Sequence, residues 1–166
     1  LDRLVGFRAP HEFLADVESA LAGKDALARA REAVLADGGL RPITRLSLGR
    51  ALAEKGDYAG ALAEFLWCFD HGDEHDPAFA GVRVSFLFRD LGLLAERHPP
   101  ALAALKERRD RAEAALRGGT VPVVFAYEAA GINHVLGERG RTAALRDELP
   151  EGPARQALTA DLKDAG

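Results

Sequence analysis

The residues best suited to chemistry lie in one short stretch, 70–76, which reads DHGDEHD. Imidazole and carboxylate groups are the side chains that hold divalent cations such as Zn²⁺. His71 and His75 are four residues apart, which would place both on one face of a helix, but we expect Gly72 to interrupt the helix here. A solvated loop is therefore expected, with a metal site as the alternative. The ligands of that alternative site would be His71, His75, Asp73 and Asp76.

Other catalytic patterns are missing from the sequence. Cys68 is the only cysteine, and no neighbouring basic residue is placed to lower the pKa of its thiol, so we expect a small core residue. The patterns GxxxxGK[ST], GxSxG and HExxH do not occur, and no GxGxxG follows a strand. We therefore expect a protein that is not an enzyme and needs no cofactor.

Composition excludes several classes of partner. The formal net charge of −4 gives no basic footprint for nucleic acid. No apolar run reaches the roughly 18 residues that a membrane span requires. A single cysteine cannot form an internal disulfide, which fits a reducing compartment, so we expect a cytoplasmic protein. The length of 166 residues fits one domain, and abundant Ala, Leu and Arg favour helices.

A short segment recurs along the chain. LAEKG at 52–56 returns as LAERH at 94–98 and as LGERG at 136–140, each time after 42 residues. A looser copy, LAGKD, lies at 21–25. Repetition at such a distance is typical of stacked helical hairpins, each of which buries its apolar face against its neighbours. The expected fold class is all-α.

Apolar periodicity and helix-breaking residues give the expected element bounds. They predict helix pairs at 10–36, 42–70, 77–117 and 122–149, and a capping helix at 153–164. VPVVFAY at 121–127 resembles a strand, but a lone strand would have no partner, so a helix is preferred. Residues 82–94 are apolar on nearly every side, which predicts a helix buried all round.

The best copy of the repeat has a recognisable pattern. It consists of Leu48, Gly49, Leu52, Gly56, Asp57, Tyr58, Ala61 and Phe65. Segment 45–70 thereby resembles a tetratricopeptide repeat. The resemblance implies a short right-handed solenoid in which Gly49 and Ala61 let two helices approach closely, above the ring of Phe65. It also implies that Gly56 adopts the left-handed turn conformation between them.

The same resemblance implies a concave groove lined by the first helix of each unit. In the central copy the lining positions are Ile43, Leu46, Arg50 and Ala53. A shift of 42 residues gives Ser85, Phe88, Gly92 and Ala95, then Tyr127, Ala130, His134 and Gly137. The candidate binding residues are Arg50, Phe88, Arg89, Tyr127 and His134.

These residues suggest a non-enzymatic adaptor that binds an acidic peptide or protein segment. Three alternatives stay open. Arg50 and Arg89 could simply pair with neighbouring acids, the 70–76 cluster could serve a metal-dependent enzyme or metal-binding protein, or the apolar helix 82–94 could be covered by self-association into a homo-oligomer.

Overall fold

The computed structural model describes residues 25–119 and 122–164 of the chain, and these residues form helices without any strand. The all-α prediction is therefore confirmed for the described part. The chain divides between Phe79 and Ala80 into two compact units, unit 1 (1–79) and unit 2 (80–166). The prediction of one domain stays a prediction. No described helix is long and apolar enough to cross a membrane.

Unit 1 contains three described helices in sequence: α1 (Ala26–Ala36), α2 (Pro42–Glu54) and α3 (Tyr58–His75). Helix α2 packs against both α1 and α3. The side chain of Asp25 caps α1 by accepting the Ala28 N–H at 2.8 Å, and Asp57 caps α3 by accepting the Gly60 N–H at 2.9 Å.

Small residues let α2 and α3 approach closely. A Cβ atom on Gly49 would lie 2.4 Å from the ring of Phe65, so only glycine leaves room for that ring. Ala61 is fully buried, and Gly56 has φ +83° at the corner between the helices. The roles predicted for Gly49, Gly56, Ala61 and Phe65 are confirmed.

Unit 2 begins within a helical segment of three parts: α4 (Phe79–Val82), a π-helical turn (Arg83–Leu87) and α5 (Phe88–Ala95). It continues with α6 (Pro99–Arg117), α7 (Val124–Val135), α8 (Arg139–Glu148) and α9 (Pro153–Asp164). Helix α7 packs against α5, α6, α8 and α9, and is therefore central to the unit. Its apolar core includes Ala112, Leu116, Ala126, Ala129, Ala130, Leu145, Leu149, Ala157 and Leu158.

A buried carboxylate, Glu113, ties α6 to α8. It is fully buried and accepts hydrogen bonds from Arg141 at 2.7 and 2.9 Å and from Arg117 at 3.2 Å. Burial favours the protonated form of Glu113, but the hydrogen bonds and charges of the two arginines outweigh it and lower the pKa of Glu113. Nearby, the buried Arg109 pairs with Glu138 in the α7–α8 corner.

Most predicted helices are confirmed to within a few residues, and 124–127 is helical as preferred over a strand. The predicted helix over 10–22 lies outside the described residues. Two expectations about these helices are wrong. Gly72 does not interrupt the helix, because its missing side chain makes room for the ring of Phe79, and α3 continues to His75. Residues 82–94 are not buried all round: Phe86 is 51% and Leu93 54% exposed.

The helix corners are not spaced at the 42-residue period of the sequence copies. We call the packed pairs α2–α3, α5–α6 and α7–α8 hairpins. Their second helices have their N-caps at Asp57, His98 and Glu138, which are 41 and 40 residues apart. In the third hairpin the glycine with positive φ is Gly137, whereas Gly140, the residue that the sequence copies align with Gly56, lies inside α8. The sequence period therefore misplaces the third corner by three residues.

Candidate functional site

The first helices of the two hairpins in unit 2 lie side by side. Contacts between them include Arg83 to Glu128 at 2.7 Å, Phe88 to Gly131, and Gly92 to Val135. Because residue numbers rise together on both sides of these contacts, α5 and α7 run in the same direction. Glycine at 92 and 131 allows the close approach, since a Cβ on Gly131 would lie 2.4 Å from the Phe88 ring.

One side of α5 is open. Arg89 and Leu93 each follow a residue that contacts α7, Phe88 or Gly92, so their side chains are rotated about 100° away from that contact. Both are exposed, the Arg89 side chain by 65% and Leu93 by 54%. The Arg89 guanidinium lies 5.8 Å from the centre of the exposed Phe86 ring, which brings Phe86 to the same side.

Helix α7 offers a matching side. Tyr127 and His134 each precede a residue that contacts the neighbouring helical segment, Glu128 or Val135, so they are rotated about 100° in the opposite sense. Tyr127 is 49% exposed, and His134 is also exposed. For two helices that run in one direction, opposite rotations lead to the same side of the pair. We call this surface the α5–α7 face; it consists of Phe86, Arg89, Leu93, Tyr127 and His134.

The face differs from the predicted groove by one residue on α5. The 42-residue shift predicted Ser85, Phe88 and Gly92 as lining positions, whereas the outward positions are 86, 89 and 93. A π-helical turn lies at Arg83–Leu87, at the start of this stretch. Phe88 is only 1% exposed and fills the space at Gly131, so its assignment to a binding surface is corrected.

The central copy contributes to a different part of the molecule. Arg50 lies on α2 in unit 1 and is partly buried. Leu46, predicted as a lining residue, is 1% exposed and belongs to the core of unit 1. A groove shared by Arg50 with Arg89, Tyr127 and His134 stays a prediction.

The α5–α7 face includes an exposed guanidinium, that of Arg89. Two neighbouring carboxylates are withdrawn from the surface: the Asp90 side chain is 10% exposed, and Glu128, 12% exposed, accepts a hydrogen bond from Arg83. The Arg89 guanidinium stays 3.9 Å from Asp90 and projects into solvent. A positive group therefore stands between exposed apolar side chains.

The histidines of the 70–76 stretch lie on α3 and meet a tryptophan. The Trp67 ring is stacked on His75 with centroids 5.2 Å apart, and its centroid is 5.8 Å from that of His71. On the same indole lies the Arg45 guanidinium, 4.2 Å from the ring centroid. In the described residues, no group of three or more His, Cys, Asp or Glu side chains could hold a metal ion.

Cys68 is a core residue, as predicted. It is fully buried, its thiol donates to the Pro42 carbonyl at 3.3 Å, and burial raises its pKa to about 12. A thiol with so high a pKa is almost entirely protonated at neutral pH and is therefore a poor nucleophile.

A shallow groove between α8 and α9 contains charged side chains. Its cations include Arg146, which pairs with Asp147 at 2.8 Å, and Arg155, which lies 3.4 Å from Glu151. Within each pair the carboxylate offsets the charge of the arginine.

Comparisons with models of protein families, with curated proteins and with solved structures found no match.

Proposed function

We propose that the chain is a tetratricopeptide-like, non-enzymatic adaptor that holds an acidic peptide segment of a partner protein on the α5–α7 face. Support for the repeat assignment comes from the central hairpin. Gly49, Ala61 and Phe65 make the close helix contact that the repeat pattern calls for, and Gly56 forms its corner.

The observation that carries the binding proposal is the set of large apolar side chains left open on two adjacent helices. Phe86, Leu93 and Tyr127 are each about half exposed. Complete burial of a fully exposed apolar side chain is worth roughly 1.5–3 kcal/mol, and about half of the surface of each of these three is still available for a partner to cover. Clustered apolar exposure of this kind marks interaction surfaces more often than scattered single residues do.

Charge selects the partner. An acidic side chain beside the apolar contacts would meet the exposed guanidinium of Arg89, which can bind a carboxylate with two hydrogen bonds. Exposed ion pairs are screened by salt, so binding should weaken as ionic strength rises. A basic segment would meet repulsion at the same place.

Selection from a random 16-residue peptide library displayed on phage tests the proposal even though the natural partner is unidentified. We expect peptides enriched on the wild-type protein to combine Asp or Glu with apolar residues. Synthetic copies of these peptides should bind the Phe86→Ala and Tyr127→Ala variants at least tenfold more weakly than they bind the wild-type protein. They should lose affinity for Arg89→Ala mainly at low salt.

Leu35→Ala provides the matched control, because Leu35 is an 80% exposed apolar residue of unit 1 outside the face. Enriched peptides that bind all variants equally would place the binding surface elsewhere.

Arg50→Ala tests the wider predicted groove: unchanged affinity would restrict the site to unit 2. Analytical ultracentrifugation of the free protein tests the self-association alternative. If the wild-type protein is a dimer and Phe86→Ala makes it a monomer, the α5–α7 face binds a second copy of the chain.

A further inference from the structure

Helix α3 carries a histidine pair whose geometry differs from that expected from sequence. Because the helix continues through Gly72 to His75, His71 and His75 are four residues apart on an unbroken helix and lie on one face of it. This is the spacing at which two imidazoles on a helix bind one zinc ion in known motifs, including the order His-x-x-Glu-His that occurs here.

The surroundings of the pair restrain both rings. Each imidazole contacts the indole of Trp67, one at 5.2 Å and the other at 5.8 Å between centroids. The Trp67 ring also contacts the guanidinium of Arg45, which pairs with Glu64 at 2.8 Å. Restrained ligands lose less conformational freedom when they bind an ion.

Glu74 adds the outer contact that metal-binding histidines commonly have. Its carboxylate lies 3.4 Å from Nδ1 of His71. A carboxylate on one ring nitrogen favours the tautomer in which the other nitrogen, Nε2, is free to bind a metal. His71 thus has a carboxylate beside Nδ1, and His75 lies one helical turn further along the same face.

We propose that His71 and His75 form a two-imidazole site for a divalent transition-metal ion, with Cu²⁺ bound most tightly and Zn²⁺ more weakly, as the general order of affinities requires. Within the described residues no third His, Cys, Asp or Glu completes a larger group, so water or a donor atom of a ligand fills the other positions. The inference concerns unit 1 alone and does not depend on peptide binding to the α5–α7 face.

The only tryptophan of the chain, Trp67, provides the reporter. Cu²⁺ is titrated into tag-free protein in a non-coordinating buffer, and Trp67 fluorescence is followed, with Zn²⁺ as a competitor. We expect saturable quenching at one ion per chain and reversal by excess Zn²⁺. His71→Asn and His75→Asn should each raise the Kd for Cu²⁺ at least tenfold.

Two further variants separate ligand loss from damage to the fold. His75→Phe keeps an aromatic ring against Trp67 but removes the ligand, so it should weaken binding as much as His75→Asn while retaining the helical circular dichroism spectrum. His134→Asn removes an exposed histidine from unit 2 and should leave the Kd unchanged. Quenching without saturation, or less than tenfold weakening in His71→Asn or in the folded His75→Phe variant, would overturn the site.

Discussion

The α2–α3 hairpin of unit 1 and the α7–α8 hairpin of unit 2 have corners with the same backbone geometry. The glycine has φ +83° in the first and +71° in the second. The next backbone N–H donates to the carbonyl five residues earlier, Asp57 to Leu52 at 3.0 Å and Glu138 to Asn133 at 2.7 Å. This bonding pattern satisfies carbonyl groups that a helix end leaves without a partner.

The buried residues next to the two corners differ in polarity. When the corner glycines are matched, Leu52 and Ala61 correspond to Asn133 and Thr142. The first pair is apolar and buried, whereas the Asn133 amide donates to Thr142 Oγ1 at 3.2 Å with both residues no more than 1% exposed. One corner geometry therefore tolerates either an apolar or a hydrogen-bonded interior.

The outer sides also differ. Asp57 caps its own helix, whereas Glu138 makes no side-chain cap and pairs with the buried Arg109 of α6. Beside it, Arg141 of α8 binds Glu113 of α6. The comparison indicates that the first hairpin depends on apolar packing and the second on charged contacts to a third helix.

The largest effect is expected from breaking the apolar hairpin. Phe65→Ala removes a ring that is 1% exposed and seated on Gly49, so unfolding should become easier by about 3–5 kcal/mol. Phe86→Ala, the same change at a half-exposed ring, is the matched control and should cost less than about 1 kcal/mol. Urea denaturation followed by circular dichroism measures both. Equal costs would contradict the assigned burial.

A smaller loss is expected from breaking the charged hairpin. Glu113→Gln removes a buried negative charge from between Arg117 and Arg141 and should cost about 2–3 kcal/mol at pH 7. The exposed Glu107, which pairs with Arg111 at 3.0 Å, serves as control, and Glu107→Gln should cost under about 0.5 kcal/mol.

The same variant has a defined pH dependence. The pKa of Glu113 is lowered in the fold below its ordinary value of 4.5. Its ionised form therefore contributes full stability above about pH 4.5, and the contribution is lost as pH falls through the lowered pKa. The difference in melting temperature between wild type and Glu113→Gln should be similar at pH 7 and pH 5.5 and smaller at pH 3. A difference that grows on acidification would contradict the lowered pKa.

The sequence predicted the central hairpin well because its signals are local. Gly56 marks a corner and Pro42 a helix start, and each acts through its own backbone conformation. The roles of Gly72 and Gly131 could not be predicted in this way, since both depend on a ring from another helix, Phe79 or Phe88.

The candidate site shows the same limit. Tyr127 and His134 are exposed on α7, at positions that the 42-residue shift indicates. On the neighbouring helix, the outward positions are 86, 89 and 93 rather than 85, 88 and 92. The apolar run 82–94 predicts core positions for Phe86 and Leu93, because composition alone does not show which apolar residues a neighbouring helix covers.

The buried polar pair of the α7–α8 hairpin can be replaced by the apolar pair of the α2–α3 hairpin. Thr142→Ala leaves the buried Asn133 amide without its acceptor and should cost about 1–2 kcal/mol. Adding Asn133→Leu recreates the Leu52–Ala61 pair and should recover most of that loss, because removing both partners of a buried hydrogen bond is nearly neutral. A double-mutant cycle in urea measures the coupling. Additive losses would show that the two positions do not form a matched pair.

The smallest effects test whether the two corners are equivalent. Gly56→Ala and Gly137→Ala each place a side chain at positive φ, where no described residue other than the chain neighbours has an atom within 4 Å, so backbone strain alone should cost about 1 kcal/mol in both. Gly140→Ala should have the opposite sign, because Gly140 lies inside α8 without positive φ, where alanine is favoured by up to about 1 kcal/mol. Thermal melts of the three variants distinguish the two registers directly. Because the corner is at Gly137, we expect Gly137→Ala to destabilise like Gly56→Ala and Gly140→Ala not to destabilise; a destabilising Gly140→Ala with a neutral Gly137→Ala would contradict this register.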